Sequence, residues 1–355
     1  MFFSYIIPPF KKNIGLFICF VVIVFLELVK KDPALIDKYY SSLFYINNSK
    51  IFLYYFGEIP FSLGDFLYLL IPVFLFLLNK NQNTRRKNLK ISFQYLALIY
   101  IFFQLQWGLN YHRTPLIDKF SIKNTYNFDS LIKATNLFIE NTNKIHKKIS
   151  NSDTTAVSFN IEKEELFNNS INAIKTFEHP FITNKIKKVS SVKSSILSTP
   201  LSYMGFSGYI NPFTLEAQIN INTPQLYLPT TICHEIAHQM GYSAENEANF
   251  IGILAAISSE NNLISYSGYV QGLRHLLNEI YKTNKTIHSE IILKLNKGVV
   301  LNIQQANNEL KKYTNPLEPY IKKIYDYFLK ANKQSAGIKS YSLVVNLLVN
   351  EYSNQ

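Results

Sequence analysis

"TTICHEIAHQMGYSAENEANF", Thr230 to Phe250, is the stretch on which the reading of this chain turns. It sets His234 and His238 four residues apart, with Glu235 beside the first. On an α-helix, residues i and i+4 lie one above the other on the same face. Two imidazoles at that pitch can converge on one point and make half of a tetrahedral zinc site. Glu235, next to the first imidazole, is placed to take a proton from a water activated there. Two ligands and a general base within five residues is the H-E-x-x-H arrangement. The plain alternative is an ordinary helix whose histidines face solvent or are satisfied in the core.

The flanks favour the metal. Pro229 opens the helix where a missing N–H is harmless. Gly241 stands where the helix must stop, since glycine accepts the left-handed C-terminal conformation. "SAENEANF" then starts a second helix, with Ser243 as the expected N-cap. That helix returns Glu245 and Glu247 toward the imidazoles, and a catalytic zinc needs a third protein ligand and an open position. Glu245 shares a helix face with Asn249, which is then expected to hydrogen-bond a ligand histidine from the second shell of the site. This favours Glu245 as third ligand and leaves Glu247 as the alternative. An oxyanion donor is also expected, and Tyr242, Tyr341 and Arg274 are all open for the role. Upstream, "SYMGFSGYINPFTLEAQININTP" (Ser202 to Pro224) alternates like a strand and carries glycines that allow close backbone approach. A strand edge beside the metal helix could hold an extended peptide, the equal alternative being an ordinary hairpin that supports the core.

The chain around this stretch has 355 residues, 47% hydrophobic, 15% aromatic and only 17% charged, with a net charge of +12. Its lysines are scattered, without a basic block interleaved with aromatics, so the charge speaks for solubility and membrane-surface affinity and against nucleic-acid binding. Three apolar runs lie in the first third: Ile14–Val29, Phe61–Leu78 and Ile91–Gly108. Each is read as a transmembrane helix, with Glu27 snorkelling at the end of the first. The loop "NKNQNTRRKNLK" between the second and third carries five basic residues and no acidic one. By the positive-inside rule it is cytoplasmic, which places the N-terminus inside and everything after about residue 110 outside the cytoplasmic membrane. The expected division is a membrane domain, 1–110, and an extracytoplasmic domain, 111–355. A disulfide between Cys19 and Cys233 is not expected, because it would join a membrane helix to the metal helix.

From residue 125 onward the pattern is mostly helical. Helices are expected over 127–149 with Asp129 as N-cap, from Asn160, and near 246–258, 263–281, 317–331 and 340–351. A small β-sheet is expected within 186–222, where residues alternate between Gly and Pro boundaries.

"HEIAHQMG" followed by "ENEANF" resembles the zincin metallopeptidases. In their gluzincin branch a Glu-x-x-Ala-Asn type segment supplies the third ligand and its supporting residue, a pattern that falls on Glu245, Ala248 and Asn249. The departure is spacing: only six residues separate His238 from Glu245, where gluzincins have many more. The short return through Gly241 is nearer to the metzincins, whose third ligand would fall at Ala244. A wider resemblance rests on the three runs together with "WGLNYHRTPL", "GYINPFTLEAQIN", "CHEIAHQMGYSAENEANFIG" and "YFLKANKQSAGIKSYS". These are similar to the bacterial membrane family catalogued as domain of unknown function 3810, grouped with zincin-like peptidases. The resemblance implies a fold and a metal site but no substrate.

The sequence therefore predicts a mainly α chain, with three N-terminal transmembrane helices and a zincin-like α+β domain with a small sheet. Its expected activity is that of a membrane-anchored zinc metallopeptidase hydrolysing peptides or proteins outside the cytoplasmic membrane, with Zn2+ on His234, His238 and Glu245 and with Glu235 as base. The alternative is a catalytically inactive relative with a binding or envelope-assembly role, against which an intact Glu235 argues. A transporter is disfavoured, since three spans with few ionisable groups make a poor pathway.

Overall fold

The computed structural model describes residues 14–79, 85–182, 191–334, 337 and 340–352. The chain opens with α1 (Ile14–Val29), α2 (Pro33–Leu35), a π-helical stretch (Ile36–Tyr45), α3 (Ile46–Gly57), α4 (Leu63–Asn79) and α5 (Arg85–Gln106). A 3-10 turn (Gly108–His112) and α6 (Leu116–Lys119) lead into α7 (Phe128–Ser150) and α8 (Lys163–Thr176). A small sheet interleaved with a helix follows: β1 (Val192–Ser194), α9 (Ser198–Met204), β2 (Gly208–Ile210) and β3 (Ala217–Ile219). Next come α10 (Leu228–Gln239), α11 (Glu245–Ile257) and α12 (Asn262–Thr283). The chain closes with α13 (Lys285–Ile292), α14 (Lys297–Lys311), α15 (Glu318–Ala331) and α16 (Ser340–Tyr352). The protein is thus mainly helical with one three-stranded sheet among its described residues.

The expectation of three transmembrane helices is overturned: among the described residues no helix is long and apolar enough to cross a membrane. The three apolar runs do form helices, but α1 has 16 residues and α4 has 17. At 1.5 Å per residue they reach about 24–26 Å, short of a hydrocarbon core of about 30 Å. α5 has 22 residues, yet it begins with Arg-Arg-Lys-Asn-Leu-Lys and contains Gln94, Gln104 and Gln106. Glu27 does not snorkel. It accepts hydrogen bonds from Lys30 Nζ at 2.7 Å and from the Tyr100 hydroxyl of α5 at 2.6 Å. Of the basic loop 79–90, residues 80–84 lie outside the described residues.

The first hundred residues are tied to the rest by buried polar contacts. Glu216 accepts from the backbone N–H of Gly64 at 2.8 Å, taking up an otherwise unsatisfied donor at the start of α4. Asp65 accepts from Ser195 Oγ at 3.0 Å and Ile196 N at 2.8 Å, and also from the Tyr209 hydroxyl. Tyr45 donates to the Gln239 carbonyl at 3.0 Å, and its ring belongs to a small cluster with Leu26, Leu53, Trp107 and Leu215. Cys19 and Cys233 are both free and buried.

The main core lies between α7, α8, α10, α11, α12 and α16, where Phe138, Ile174, Ile232, Phe250, Leu273 and Leu348 meet. The helix expected over 127–149 is α7, but its N-cap is Asn127, whose side chain accepts from Ser130 N at 2.7 Å; Asp129 falls inside the first turn. The helix expected from Asn160 starts at Lys163. The helices α13 and α14 were not expected. In the sheet, β3 is central, parallel to β1 and antiparallel to β2, which leaves β2 at an edge. Residues 186–190 of the expected sheet region lie outside the described residues.

Candidate metal centre

α10 carries His234, Glu235 and His238 and ends as the sequence requires. Gly241 has φ +89°, and Tyr242 N reaches back to the Ala237 carbonyl at 3.2 Å, a bond that closes the helix end. The turn throws the chain back along α10. Ser243 is not the cap of α11. That place is taken by Ala244, in an extended conformation with no capping side chain. Gln334, arriving from beyond α15, accepts from Glu245 N at 3.3 Å and supplies the missing cap from ninety residues away. Gly252 of α11 lies flat on the His234 backbone, where an added Cβ would come within 2.8 Å of His234 N. Only glycine lets the two helices approach so closely.

The approach brings Glu245 between the imidazoles: its Oε2 is 3.5 Å from His234 Nε2 and its Oε1 3.7 Å from His238 Nε2. His234, Glu235 and His238 each offer a ligand atom, all within 4.8 Å of one another. The His238 ring is fixed by Nδ1, which meets the Tyr242 carbonyl at 2.7 Å. A proton on Nδ1 leaves the Nε2 lone pair free for a metal. Zinc bonds of about 2.0–2.2 Å set tetrahedral ligand atoms roughly 3.3–3.6 Å apart, and the two imidazole–Glu245 separations, each to a different carboxylate oxygen, lie near that range. The donor set, two imidazole nitrogens and a carboxylate oxygen with no hydrogen-bond partner at Glu245 Oε2, fits that ion.

Burial disfavours charge on His238, Glu245 and Glu235, and for the first two the pairings decide the outcome. It pulls His238 down, yet the Glu245 carboxylate outweighs it and the imidazole is raised to about 9. Burial likewise pushes Glu245 up, and the His238 and His234 rings overcome it, holding the carboxyl well below its usual range. Glu235 goes the other way. Burial raises it, with Glu245 assisting, and the two imidazoles only partly offset this. Its Oε2 has no partner among the described residues. A carboxylate of raised basicity facing an open space suits a proton acceptor.

Glu247, the alternative ligand, sits elsewhere. Its Oε1 accepts from Leu116 N at 2.7 Å, holding the start of α6. Asn249 does not bond a histidine; its Nδ2 donates to the Glu245 carbonyl at 2.7 Å and steadies the first turn of α11. Of the expected oxyanion donors, Tyr242 donates away from the site, to the Phe181 carbonyl at 3.3 Å, and the Tyr341 side chain lies outside what is described. Arg274 lines the cleft. The group that reaches the centre is Tyr325 of α15, whose hydroxyl donates to Glu245 Oε1 at 2.7 Å. No local pattern in the sequence marks Tyr325, eighty residues from the glutamate it meets.

The centre opens into a cleft of about 1250 Å³. One wall is the β2 edge, with Gly208 so close to Glu235 that a Cβ there would lie 2.7 Å from Oε1. Asn220 N bonds the Ser207 carbonyl at 3.0 Å and Asn211 N bonds the Glu216 carbonyl at 2.9 Å, so residues 207 and 211 face β3. By antiparallel alternation, Gly208 and Ile210 turn their N–H and C=O groups away from β3, toward the open edge.

No curated protein and no solved structure matches the chain. A family model described as "Protein of unknown function (DUF3810)" matches residues 40–349, a range that takes in both histidines, the three glutamates, the edge strand and Tyr325. The chain belongs to that family.

Proposed function

We propose that the protein is a zinc-dependent metallopeptidase of the zincin-like kind. The observation that carries this reading is the meeting of His234 Nε2, His238 Nε2 and the Glu245 carboxylate beside an unpartnered Glu235, at the floor of a cleft walled by a strand edge. His234, His238 and Glu245 would hold the metal. When bound, zinc polarises a carbonyl and acidifies water. Glu235 accepts the proton of the attacking water as its oxygen adds to the scissile carbonyl carbon. It then passes that proton to the nitrogen as the C–N bond breaks, so one group serves as base and then as acid. Gly208 and Ile210 offer backbone hydrogen bonds to an extended peptide. Tyr325, whose hydroxyl donates to Glu245 Oε1, would donate to an oxyanion once a substrate enters the cleft.

The lipid bilayer is the second partner proposed. Phe17, Phe20, Phe25, Phe76 and Phe93 of α1, α4 and α5 are each more than 60% exposed. Exposed apolar surface of this extent marks an interaction site. These faces would lie in lipid while the cleft stays in water.

The test uses a proteome-derived peptide library. Cleavage is expected from the purified protein and is lost with a chelator. Glu235→Gln should keep zinc and lose hydrolysis by about 10²–10⁴-fold, the usual contribution of a general base. A Glu235→Gln protein that cleaves as fast as wild type would leave the two histidines as a structural site.

A further inference from the structure

A second chamber of about 470 Å³ adjoins the cleft, sharing Ser207, Thr231, Gln271 and Arg274 as its border. Its other walls include Asn220, Asn222, Thr223, Lys311 and the Glu318 carboxylate, which is paired with Lys322. Arg274 stands at the junction. Its guanidinium lies over the Tyr227 ring, 4.9 Å from the centroid, and Nη1 donates to Gln271 Oε1 at 3.4 Å. Stacking of this kind holds the planar fork in one orientation and leaves its other N–H groups free to meet a ligand. The other cations at the cleft are already matched: Lys282 pairs with Glu279 at 3.2 Å and Lys322 with Glu318 at 2.5 Å. Among the described residues no ion pair is formed by Arg274 or Lys311. With Glu318 matched by Lys322, Arg274 and Lys311 leave the chamber a positive charge that no ion pair among the described residues answers.

The direction of a bound peptide connects this chamber to the proposed chemistry. Antiparallel pairing on β2, the geometry β2 already has with β3, is slightly more stable than parallel pairing. It sets the C-terminal residues of the peptide at the N-terminal end of β2. Gly208 lies against Glu235, so the residues after the scissile bond run past Ser207 to Arg274. We infer that the Arg274 chamber is an anion subsite that recognises a carboxylate on the C-terminal side of the cleaved bond, so that the substrates are peptides with an acidic residue or a free C-terminus there. The inference rests on the peptidase reading for its polarity, and guanidinium is the group whose fork matches a carboxylate in two parallel hydrogen bonds.

Binding is measured separately from cleavage, on full-length Glu235→Gln protein loaded with zinc. The probes are N-terminally labelled hexapeptide pools made as free acids or C-terminal amides, each with Asp and Glu or with Asn and Gln after the central position. Pools that carry a carboxylate should bind about tenfold tighter than the neutral amide pool, as expected for hydrogen bonds to a charged group. Arg274→Met, on an exposed part of α12, should abolish the difference, and Arg274→Lys should restore only part of it. A gain from the free terminus alone identifies the α-carboxylate, and a gain that survives amidation identifies the side chain; both support the subsite. Equal binding of all pools, a preference that persists in Arg274→Met, or no binding at all overturns it. Charge-selective binding without any cleavage by wild type would sink the peptidase reading and leave the subsite standing. Chelator-sensitive cleavage that ignores charge would do the reverse.

Discussion

α1 and α11 are both apolar helices of similar length, 16 and 13 residues, and the fold treats them in opposite ways. α1 has Glu27 as its only charged residue, yet it buries just Gly15, Cys19 and Leu26. α11 carries two glutamates and two asparagines, and eleven of its thirteen residues are buried. Apolar content therefore does not decide what this protein places inside. Burying a polar group is unfavourable unless something meets it. In α11 something does: Leu116 N meets Glu247, and two imidazoles and Tyr325 meet Glu245. Among the buried polar atoms without a hydrogen bond are Oε2 of Glu235 and of Glu245, where a water and a metal would fit. The exposed face of α1 has no such answer among the described residues, and the bilayer is the partner proposed for it.

The largest effect that would break this contrast is on the metal. Glu245→Gln should weaken zinc retention by more than the 10–100-fold typical of residues that only support a ligand, because a neutral amide is a poorer ligand than a carboxylate. Glu247→Gln, whose amide oxygen can still accept from Leu116, should leave about one zinc per chain. His234→Ala and His238→Ala should each abolish retention, read by elemental analysis of the dialysed protein. Zinc lost from Glu247→Gln and kept by Glu245→Gln would reverse the roles given to the two buried glutamates.

The next effect is on packing. Gly252→Ala sets a methyl group against the His234 backbone, which has no soft side chain to yield. Overpacking of this kind destabilises by about 1–3 kcal/mol, and here it should also lower zinc affinity, because it wedges α11 away from α10. A variant of unchanged denaturation midpoint and unchanged zinc affinity would show that the close approach is not needed.

A smaller effect lies at the seam between the N-terminal helices and the end of α15. His112 sits between the Lys30 and Lys333 charges, and burial first, then those charges, lower its pKa from 6.5 to about 4. The folded protein thus refuses a proton that the unfolded chain accepts below about pH 6.5. This contribution is full above that value and is lost as pH falls toward 4. Solvent reaches part of the ring, so the loss is a fraction of what a fully buried group would show. His112→Asn should flatten the fall in stability between pH 6.5 and 4 relative to wild type. Parallel curves would remove His112 from the account.

What the sequence made legible was local. Pro229, the i, i+4 histidines and Gly241 define a helix, its face and its end within thirteen residues, and α10 follows them. The return of Glu245 to the imidazoles was legible for the same reason, since a short turn leaves α11 little freedom. Partners brought by the tertiary fold were not. Gln334 caps α11 and Tyr325 reaches Glu245 from α15, and neither has a pattern near the residue it serves. Ser243 was assigned the cap because its type is right, but the chain enters α11 through an extended Ala244. The apolar runs at the N-terminus were located well and interpreted wrongly. Their apolar periodicity places the helices, but α1 and α4, with 16 and 17 described residues, are too short to cross a membrane.

The smallest expected effect on stability is also the sharpest test of α1. Phe20 and Phe25 are 64% and 62% exposed, so replacing both with serine removes little packing within the chain. Exposed substitutions away from special contacts usually stay within about 0.5 kcal/mol each, and the denaturation midpoint of the purified protein should barely move. Binding to vesicles should respond much more strongly. Each phenylalanine transferred from water into lipid gains on the order of 1.5–3 kcal/mol when fully buried, so losing two would lower partitioning by at least tenfold in a co-sedimentation assay with zwitterionic vesicles. Zinc content should stay the same, since α1 carries none of the proposed ligands. If instead the midpoint falls by several kcal/mol while vesicle binding holds, the face is packed against protein, and α1 and α11 would differ in degree of burial rather than in kind of partner.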